Sequence, residues 1–157
     1  MMPTTIPVLL TFTATALNGI LVGASLDQSI KQLPARHRMG VSAFSLYSRS
    51  ADLSRNGIVW YALLGISAAL VTLAAAVATF VSGSAYPLPI LCAAILSVLH
   101  SIATSQAAPT NFRQRKVLKD EAALAAVFDT FERWQTVRVI LQACTFAVTL
   151  WALFVLG

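Results

Sequence analysis

The stretch that decides the fold is residues 58–81, IVWYALLGISAALVTLAAAVATFV. It contains no Asp, Glu, Lys or Arg, and it exceeds the roughly 20 residues that a helix needs to cross a bilayer. Three similar apolar stretches lie on either side of it, at about residues 6–26, 86–108 and 137–156. Helices satisfy their own backbone polar groups in lipid. The sequence therefore predicts an all-α, integral membrane four-helix bundle, with residues 1–157 as one membrane domain.

The overall composition supports this prediction. The chain is 57% hydrophobic and 11% charged, whereas soluble domains are about 25% charged. Its mean hydropathy is +0.75. These values exclude a disordered chain, a disulfide-rich secreted module and an ordinary soluble enzyme.

The distribution of charge predicts the topology. All 11 Lys and Arg residues and all 6 acidic residues fall within residues 27–55 and 113–138. The positive-inside rule places both of these connections in the cytoplasm, so both termini and the turn at residues 82–86 face outward. We therefore expect a plasma or inner membrane protein. The basic connections suit anionic phospholipids, and nothing in them favours nucleic acid.

Each charged connection is predicted to contain a short amphipathic helix that lies at the cytoplasmic interface. Residues 39–53 and 117–134 both place apolar side chains at helical spacing, with polar side chains between them. Two prolines are predicted to end helices. Pro109 ends the third span because the residue before a proline avoids the α region, and Pro34 ends the helix that follows the first span.

Several polar residues are predicted to gather in the cytoplasmic half of the bundle. A charged or titratable side chain within a span is costly, and it is by default a candidate for a functional site. Trp134, Arg138 and Gln142 follow one another at intervals of four residues and share a helix face. Trp60 and Tyr61 open the second span at the same depth. The candidate cluster consists of Asp27, His100, Thr104, Asn111, Arg138 and Gln142.

Structural interpretations of the same residues remain open. Arg138 lies about one turn inside its span, where its side chain can extend to lipid phosphates. His100 can be a neutral histidine that is bonded to a neighbouring helix. Asn18, Thr104 and Gln142 are typical of polar residues that link helices through hydrogen bonds. The spacing Gly19-x-x-x-Gly23 indicates a possible homo-oligomer.

Cofactor motifs are missing from the sequence. There is no Gly-rich phosphate loop and no His-Glu-x-x-His spacing. Only two histidines are present, His37 and His100, which argues against a multi-histidine metal centre or a bis-histidine haem within one chain. We predict no metal and no cofactor, although a bound haem or quinone remains an alternative.

Two short motifs resemble those of a known family. They are Ala108-Pro109-Thr110-Asn111 and Phe131-x-Arg133-Trp134-x-x-Val137-Arg138. Together with Gly23-Ala24-Ser25-Leu26-Asp27-Gln28-Ser29 and Tyr47-Ser48-Arg49-x-x-Asp52-Leu53, they are similar to the small four-helix membrane proteins that include the fungal anthrone oxygenases. The resemblance covers most of the chain. Where family members often have His or Asn after the tryptophan, this chain has Gln135, which cannot act as a base.

The resemblance implies an oxidoreductase that uses O₂ to oxidise a flat, lipophilic, polyketide- or quinone-like molecule, in the simplest case without a cofactor. It suggests His100 as the base and Arg138 as the partner of the developing oxyanion. Asp27 would orient His100 or pair with Arg138, and Asn111 would orient a substrate carbonyl. The other predicted substrate-binding residues are Tyr61, Thr104, Trp134, Gln135 and Gln142.

A second class of function remains open at this point. The chain can instead be a non-catalytic membrane protein that binds a lipid or another ligand, or a partner subunit of a membrane complex. A transporter is a third, less favoured interpretation. An enzyme needs a closed pocket that reaches His100, whereas a partner subunit needs an exposed face of small residues such as Gly19 and Gly23.

Overall fold

A computed structural model describes residues 5–85 and 87–156. It has four helical segments long and apolar enough to cross a membrane, which confirms the predicted all-α four-helix bundle and indicates an integral membrane protein. Tyr86, the predicted start of the third span, and both chain ends lie outside the described residues. The helices are α1 (Thr5–Asp27), α2 (Leu33–Met39), α3 (Val41–Ser50), α4 (Arg55–Val81), α5 (Leu88–Phe112) and α6 (Glu121–Leu156).

The four long helices form a closed ring. α1 packs against α4 and α6, and α5 packs against the same two helices from the other side. The large apolar side chains of α4, such as Ile66, Leu70 and Phe80, point outward, whereas Ala68 and Thr72 are buried. This distribution suits a lipid environment, in which large apolar side chains face the surroundings and small residues let helices approach closely.

The first span continues beyond Asp27 without a break. A π-helical turn, Gln28–Gln32, joins α1 to α2, and Leu33 N–H bonds to the carbonyl of Gln28. Pro34 is the second residue of α2 and comes directly after the π-helical turn, so the helix continues through the proline. The prediction that Pro34 ends this helix was therefore wrong. The helical rod ends instead at Gly40, whose φ of +82° suits glycine.

Pro109 does not end the third span either. It lies inside α5, which continues to Phe112 and is followed by a 3₁₀ turn, Arg113–Lys116. Pro109 is close to the end of α5, so the backbone hydrogen bond that it removes lies in the last part of the helix.

Only the first of the two predicted interface helices is a separate helix, α3. In the second predicted stretch, residues 121–134 are the beginning of α6 rather than a short helix of their own. α6 has 36 residues, a length of about 54 Å at 1.5 Å per residue, which exceeds the roughly 30 Å of the hydrocarbon core. The helix therefore extends beyond the core as one continuous element.

The end of the bundle with both charged connections is called the charged end here. A cluster of buried apolar residues closes it, formed by Leu33, Phe44, Ala107, Leu124, Phe128 and Phe131, with Trp134 packed against them. Arg36 is buried beside this cluster and pairs with Asp129 at 3.0 Å and Glu132 at 2.7 Å. These two ion pairs fasten α2 to the first part of α6.

Candidate functional site

Arg138 of α6 is half-buried and is bonded only to neutral groups. Its Nε donates to Thr104 Oγ1 at 3.1 Å, and its Nη1 donates to Gln135 Oε1 at 2.7 Å. Within residues 5–85 and 87–156, no carboxylate lies within ion-pair distance of this guanidinium. A guanidinium has five N–H donors, so three remain without a protein acceptor. Arg138 therefore keeps both a positive charge and hydrogen-bonding capacity.

Gln135 holds the guanidinium in place. Its side chain is fully buried, and its Nε2 donates to the Ser25 carbonyl at 3.3 Å and to Ser29 Oγ at 3.4 Å. Because the amide nitrogen faces the first span, the amide oxygen is left to accept from Arg138. Gln135 thus connects the cation to the end of α1 and to the π-helical turn.

Thr104 connects the same cation to His100. The Thr104 hydroxyl donates to the His100 carbonyl at 2.9 Å, which leaves its oxygen to accept from Arg138. His100 is buried on α5, and its Nε2 has no hydrogen-bond partner among the described residues. Arg138 interacts electrostatically with His100 and with Tyr61 of α4.

Four of the predicted residues therefore lie together, and they are called the Arg138 site here: His100, Thr104, Gln135 and Arg138. Tyr61 is within electrostatic range of the site. Ser25 and Ser29, which bind Gln135, were not predicted. Ser25 follows Asn18 by seven residues, and this spacing of two helical turns was the available signal that both face the bundle interior.

Gln142 belongs to a separate group. Its Nε2 donates to Asn18 Oδ1 at 2.8 Å and to the Asn18 carbonyl at 3.4 Å. Asn18 Nδ2 in turn donates to Thr72 Oγ1 at 2.9 Å and to the Ala14 carbonyl at 2.8 Å. These contacts link α1, α4 and α6. Asn18, Thr72 and Gln142 are called the Asn18 network here.

Asn111 and Trp134 have their observed contacts with other groups, in the structure of the charged end. Asn111 Oδ1 accepts from Gln114 Nε2 at 2.7 Å, and Gln114 Oε1 accepts from Ser45 Oγ at 2.9 Å. This buried group joins the end of α5 to α3. Trp134 packs on the apolar cluster that contains Phe44.

Asp27 does not have the partner that was expected for it. It forms an ion pair with Lys31 and accepts a hydrogen bond from Gln32 Nε2 at 2.8 Å. The suggestion that Asp27 pairs with Arg138 or orients His100 was therefore wrong. The continuous helix brings Lys31 one turn beyond Asp27, where it pairs locally with the carboxylate.

Gly19 and Gly23 have different surroundings. A Cβ atom at Gly19 would lie 3.0 Å from the ring of Phe146, so Gly19 packs against α6 of its own chain. Gly23 is exposed and has open space around it. Only Gly23 of this pair is left available to a partner.

The described residues line at least two open clefts. One, of about 290 Å³, lies at the charged end between the π-helical turn, α2 and α3. The other, of about 370 Å³, lies between α4 and α5 and is lined mainly by apolar and serine side chains. Neither cleft is lined by His100 or Arg138. Among the described residues there is no group of three or more His, Cys, Asp and Glu that would hold a metal ion.

No family model, no curated protein and no solved structure matches this chain. What the protein does is therefore inferred from the chemistry of the Arg138 site.

Proposed function

We propose that this protein is a membrane-embedded oxidoreductase of the oxygenase type, which acts on a flat, lipophilic, anthrone-like aromatic molecule at the Arg138 site. The observation that supports this most directly is that two side chains on neighbouring helices, Arg138 and His100, both have unused hydrogen-bonding capacity. Among the described residues, three N–H donors of the Arg138 guanidinium have no acceptor, and the buried Nε2 of His100 has no partner; Thr104 accepts from the guanidinium and donates to the backbone carbonyl of His100.

The class of ligand follows from the charge of the site. A cation inside a membrane protein is costly to keep unless it has a partner. Because Arg138 binds only neutral side chains, an anionic or strongly polarised oxygen on a ligand would meet an unopposed positive charge. The surrounding bundle is apolar, so the rest of such a ligand would have to be lipophilic.

The reaction begins with proton transfer. His100 Nε2 takes a proton from the methylene carbon of the substrate, and the carbonyl oxygen becomes a phenolate that the free N–H groups of Arg138 stabilise. This electron-rich anion then reduces O₂. In the overall reaction the methylene carbon loses two hydrogens and gains one oxygen, and the second oxygen atom leaves as water.

The remaining residues of the site position the cation. Thr104 and Gln135 each accept one hydrogen bond from Arg138, which fixes the plane of the guanidinium. Under the positive-inside rule, both charged connections face the cytoplasm, and the site then lies in the cytoplasmic half of the bundle. The basic connections are then placed to contact anionic phospholipids.

The test is an oxidation assay in lipid nanodiscs with anthrone as the probe. Product formation and O₂ consumption are measured against protein-free nanodiscs, which correct for spontaneous oxidation. We expect His100→Ala and Arg138→Ala each to reduce turnover about 100-fold, the usual cost of losing one group that stabilises a developing charge. The matched controls are His37→Ala and Arg133→Ala, because both side chains are exposed.

Two outcomes would contradict this proposal. One is a wild-type protein that oxidises anthrone no faster than empty nanodiscs. The other is full turnover in both the His100 and the Arg138 variants while they remain folded.

A second candidate function is non-catalytic binding of a lipophilic anion. It is favoured by the accessibility of the two groups: Arg138 is half-buried, whereas His100 Nε2 is enclosed and neither described cleft reaches it, so an anion can meet the cation more readily than a substrate carbon can meet the base. Native mass spectrometry with a lipophilic phenol separates the two candidates. Retention of the phenol that depends on Arg138, without any turnover, supports the binding protein.

A further inference from the structure

The cleft at the charged end, called the α1–α3 cleft here, contains chemistry that the Arg138 site does not use. Its volume of about 290 Å³ is close to the lower limit, roughly 300 Å³, of small-molecule sites. It shares no residue with the Arg138 site. Its lining consists of Asp27, Lys31, Gln32, Ala35, Met39, Phe44 and Tyr47.

One wall of the cleft offers hydrogen-bond acceptors. Gln32 Nε2 donates to the Asp27 carboxylate, and this contact fixes the orientation of the amide because its oxygen would be repelled there. Gln32 Oε1 is consequently a buried acceptor, and it has no partner among the described residues. A ligand group that satisfies this wall must donate hydrogen bonds, and next to a carboxylate a cationic donor is favoured.

The other walls of the cleft contribute an aromatic ring and an exposed lysine side chain. Tyr47 offers the exposed ring, because Phe44 is buried against Phe128, and aromatic faces attract ammonium groups. Lys31 pairs with Asp27, but its side chain is 72% exposed. Lys31 is therefore free to move from the carboxylate to an anion at the mouth of the cleft.

The position of the cleft points to a lipid. Asp27 is the first charged residue after the apolar run of α1, so the cleft begins where the helix leaves the hydrocarbon core. We propose that the α1–α3 cleft binds the headgroup of a phospholipid with a primary ammonium group. The ammonium donates to the partly exposed Asp27 carboxylate, whose orientation Gln32 Nε2 fixes, and the phosphate pairs with Lys31. This inference is independent of the proposed oxidation.

The test is native mass spectrometry of the full chain with three phospholipids of matched acyl chains. Phosphatidylethanolamine offers three N–H donors, phosphatidylcholine keeps the charge but has none, and phosphatidylglycerol has no ammonium. We expect phosphatidylethanolamine to bind about tenfold more tightly than either, the usual value of hydrogen bonds to charged groups. Equal binding of phosphatidylethanolamine and phosphatidylcholine, or a preference for phosphatidylglycerol, would overturn the proposal.

Variants locate the binding. Asp27→Asn and Gln32→Leu should each lower the binding of phosphatidylethanolamine to the level of phosphatidylcholine. Asp120→Asn and Gln106→Leu are the matched controls, since both residues are exposed and lie outside the cleft. A preference that survives in both cleft variants contradicts the assignment, and Gln32→Leu keeps the test decisive if Asp27→Asn fails to fold.

A soluble competitor identifies the source of the headgroup. O-phosphoethanolamine has the same two charges but no acyl chains. If the bound species is a lipid, this compound should fail to displace phosphatidylethanolamine at millimolar concentration. If it displaces the lipid at equal concentration, the cleft takes a free phosphoamine and the lipid assignment is wrong.

Discussion

The Asn18 network and the Arg138 site contain similar residues, but they differ in how many of their N–H donors have an acceptor among the described residues. Each contains a buried glutamine of α6, Gln142 or Gln135, and each of these binds the first helix. In the Asn18 network, all four amide N–H groups of Asn18 and Gln142 have acceptors. In the Arg138 site, three of the five N–H groups of Arg138 have none.

This difference separates polar residues that link helices from polar residues that have hydrogen-bonding capacity left for a ligand. Buried polar residues are frequent on α1, α4 and α6, and most of them bond to their own helix or to a neighbouring one. Thr72 and Thr145, for example, donate to the carbonyl four residues earlier. A buried polar group is therefore weak evidence for function, and a buried polar group without enough partners is stronger evidence.

The largest expected effect comes from placing the same negative charge in each region. Gln142→Glu buries a carboxylate with no cation beside it, whereas Gln135→Glu places one next to Arg138. We expect Gln142→Glu to lower the free energy of unfolding by about 3 kcal/mol or more relative to Gln135→Glu, because unpaired buried charges are strongly destabilising. Denaturant titration in mixed micelles measures this difference.

The same pair of variants separates stability from activity. Gln135→Glu should fold well but lose anthrone oxidation. The new carboxylate would pair with the Arg138 guanidinium, whose positive charge is then no longer available to the substrate oxyanion. Equal stability of the two variants would mean that the two regions do not differ in charge balance.

A smaller effect is expected from two matched threonine variants. Thr104→Val removes the acceptor of Arg138 Nε, and Thr72→Val removes the acceptor of Asn18 Nδ2. We expect Thr104→Val to reduce turnover about tenfold with little loss of stability, and Thr72→Val to cost about 0.6 kcal/mol of stability without changing turnover. Anthrone assays and thermal unfolding of both variants provide the measurements. Reversed effects would place the site in the Asn18 network.

The smallest expected effect is a pH dependence of the stability, which comes from one carboxyl between α3 and α4. Asp52 lies in the turn before α4 and accepts from Gln28 Nε2 at 3.0 Å. Burial raises the pKa of this carboxyl above its ordinary value of 3.8, although the bond from Gln28 opposes the shift. The folded state thus favours the protonated form. Its contribution to stability is complete below pH 3.8 and is lost as the pH rises through the raised pKa.

Asp52→Asn should remove this dependence. Unfolding of the wild type and the variant between pH 3.5 and pH 7, roughly the range in which a raised carboxyl titrates, gives the comparison. A wild-type stability that increases over this range, relative to the variant, would contradict the expected sign.

The spans and part of the site were predictable from the sequence for clear physical reasons. An uncharged stretch such as residues 58–81 has few alternatives to a membrane helix, and helical spacing placed Thr104 one turn beyond His100. Spacing did not reveal that Gln135 and Gln142 bind separate groups, because that depends on how α6 is rotated against α1. The partner of Asp27 depended on the π-helical turn, which continues the helix to Lys31.

The proline predictions failed because local preference was weaker than context. Pro34 follows a π-helical turn and the helix continues through it, and Pro109 comes so late in α5 that only a short segment of helix follows it. In this chain, the local preference at each proline was outweighed because the backbone beyond it stays helical.

The length of α6 has a mechanical consequence. Its 36 residues contain neither glycine nor proline, whereas the first span has a π-helical turn and α5 contains Pro109. α6 is therefore an uninterrupted helix, and it has no glycine, proline or irregular turn between its projecting first turns and the guanidinium in its middle. A displacement of those first turns would therefore be transmitted along the helix to Arg138. The first span and α5 can instead take up the same displacement by bending at their irregular turns.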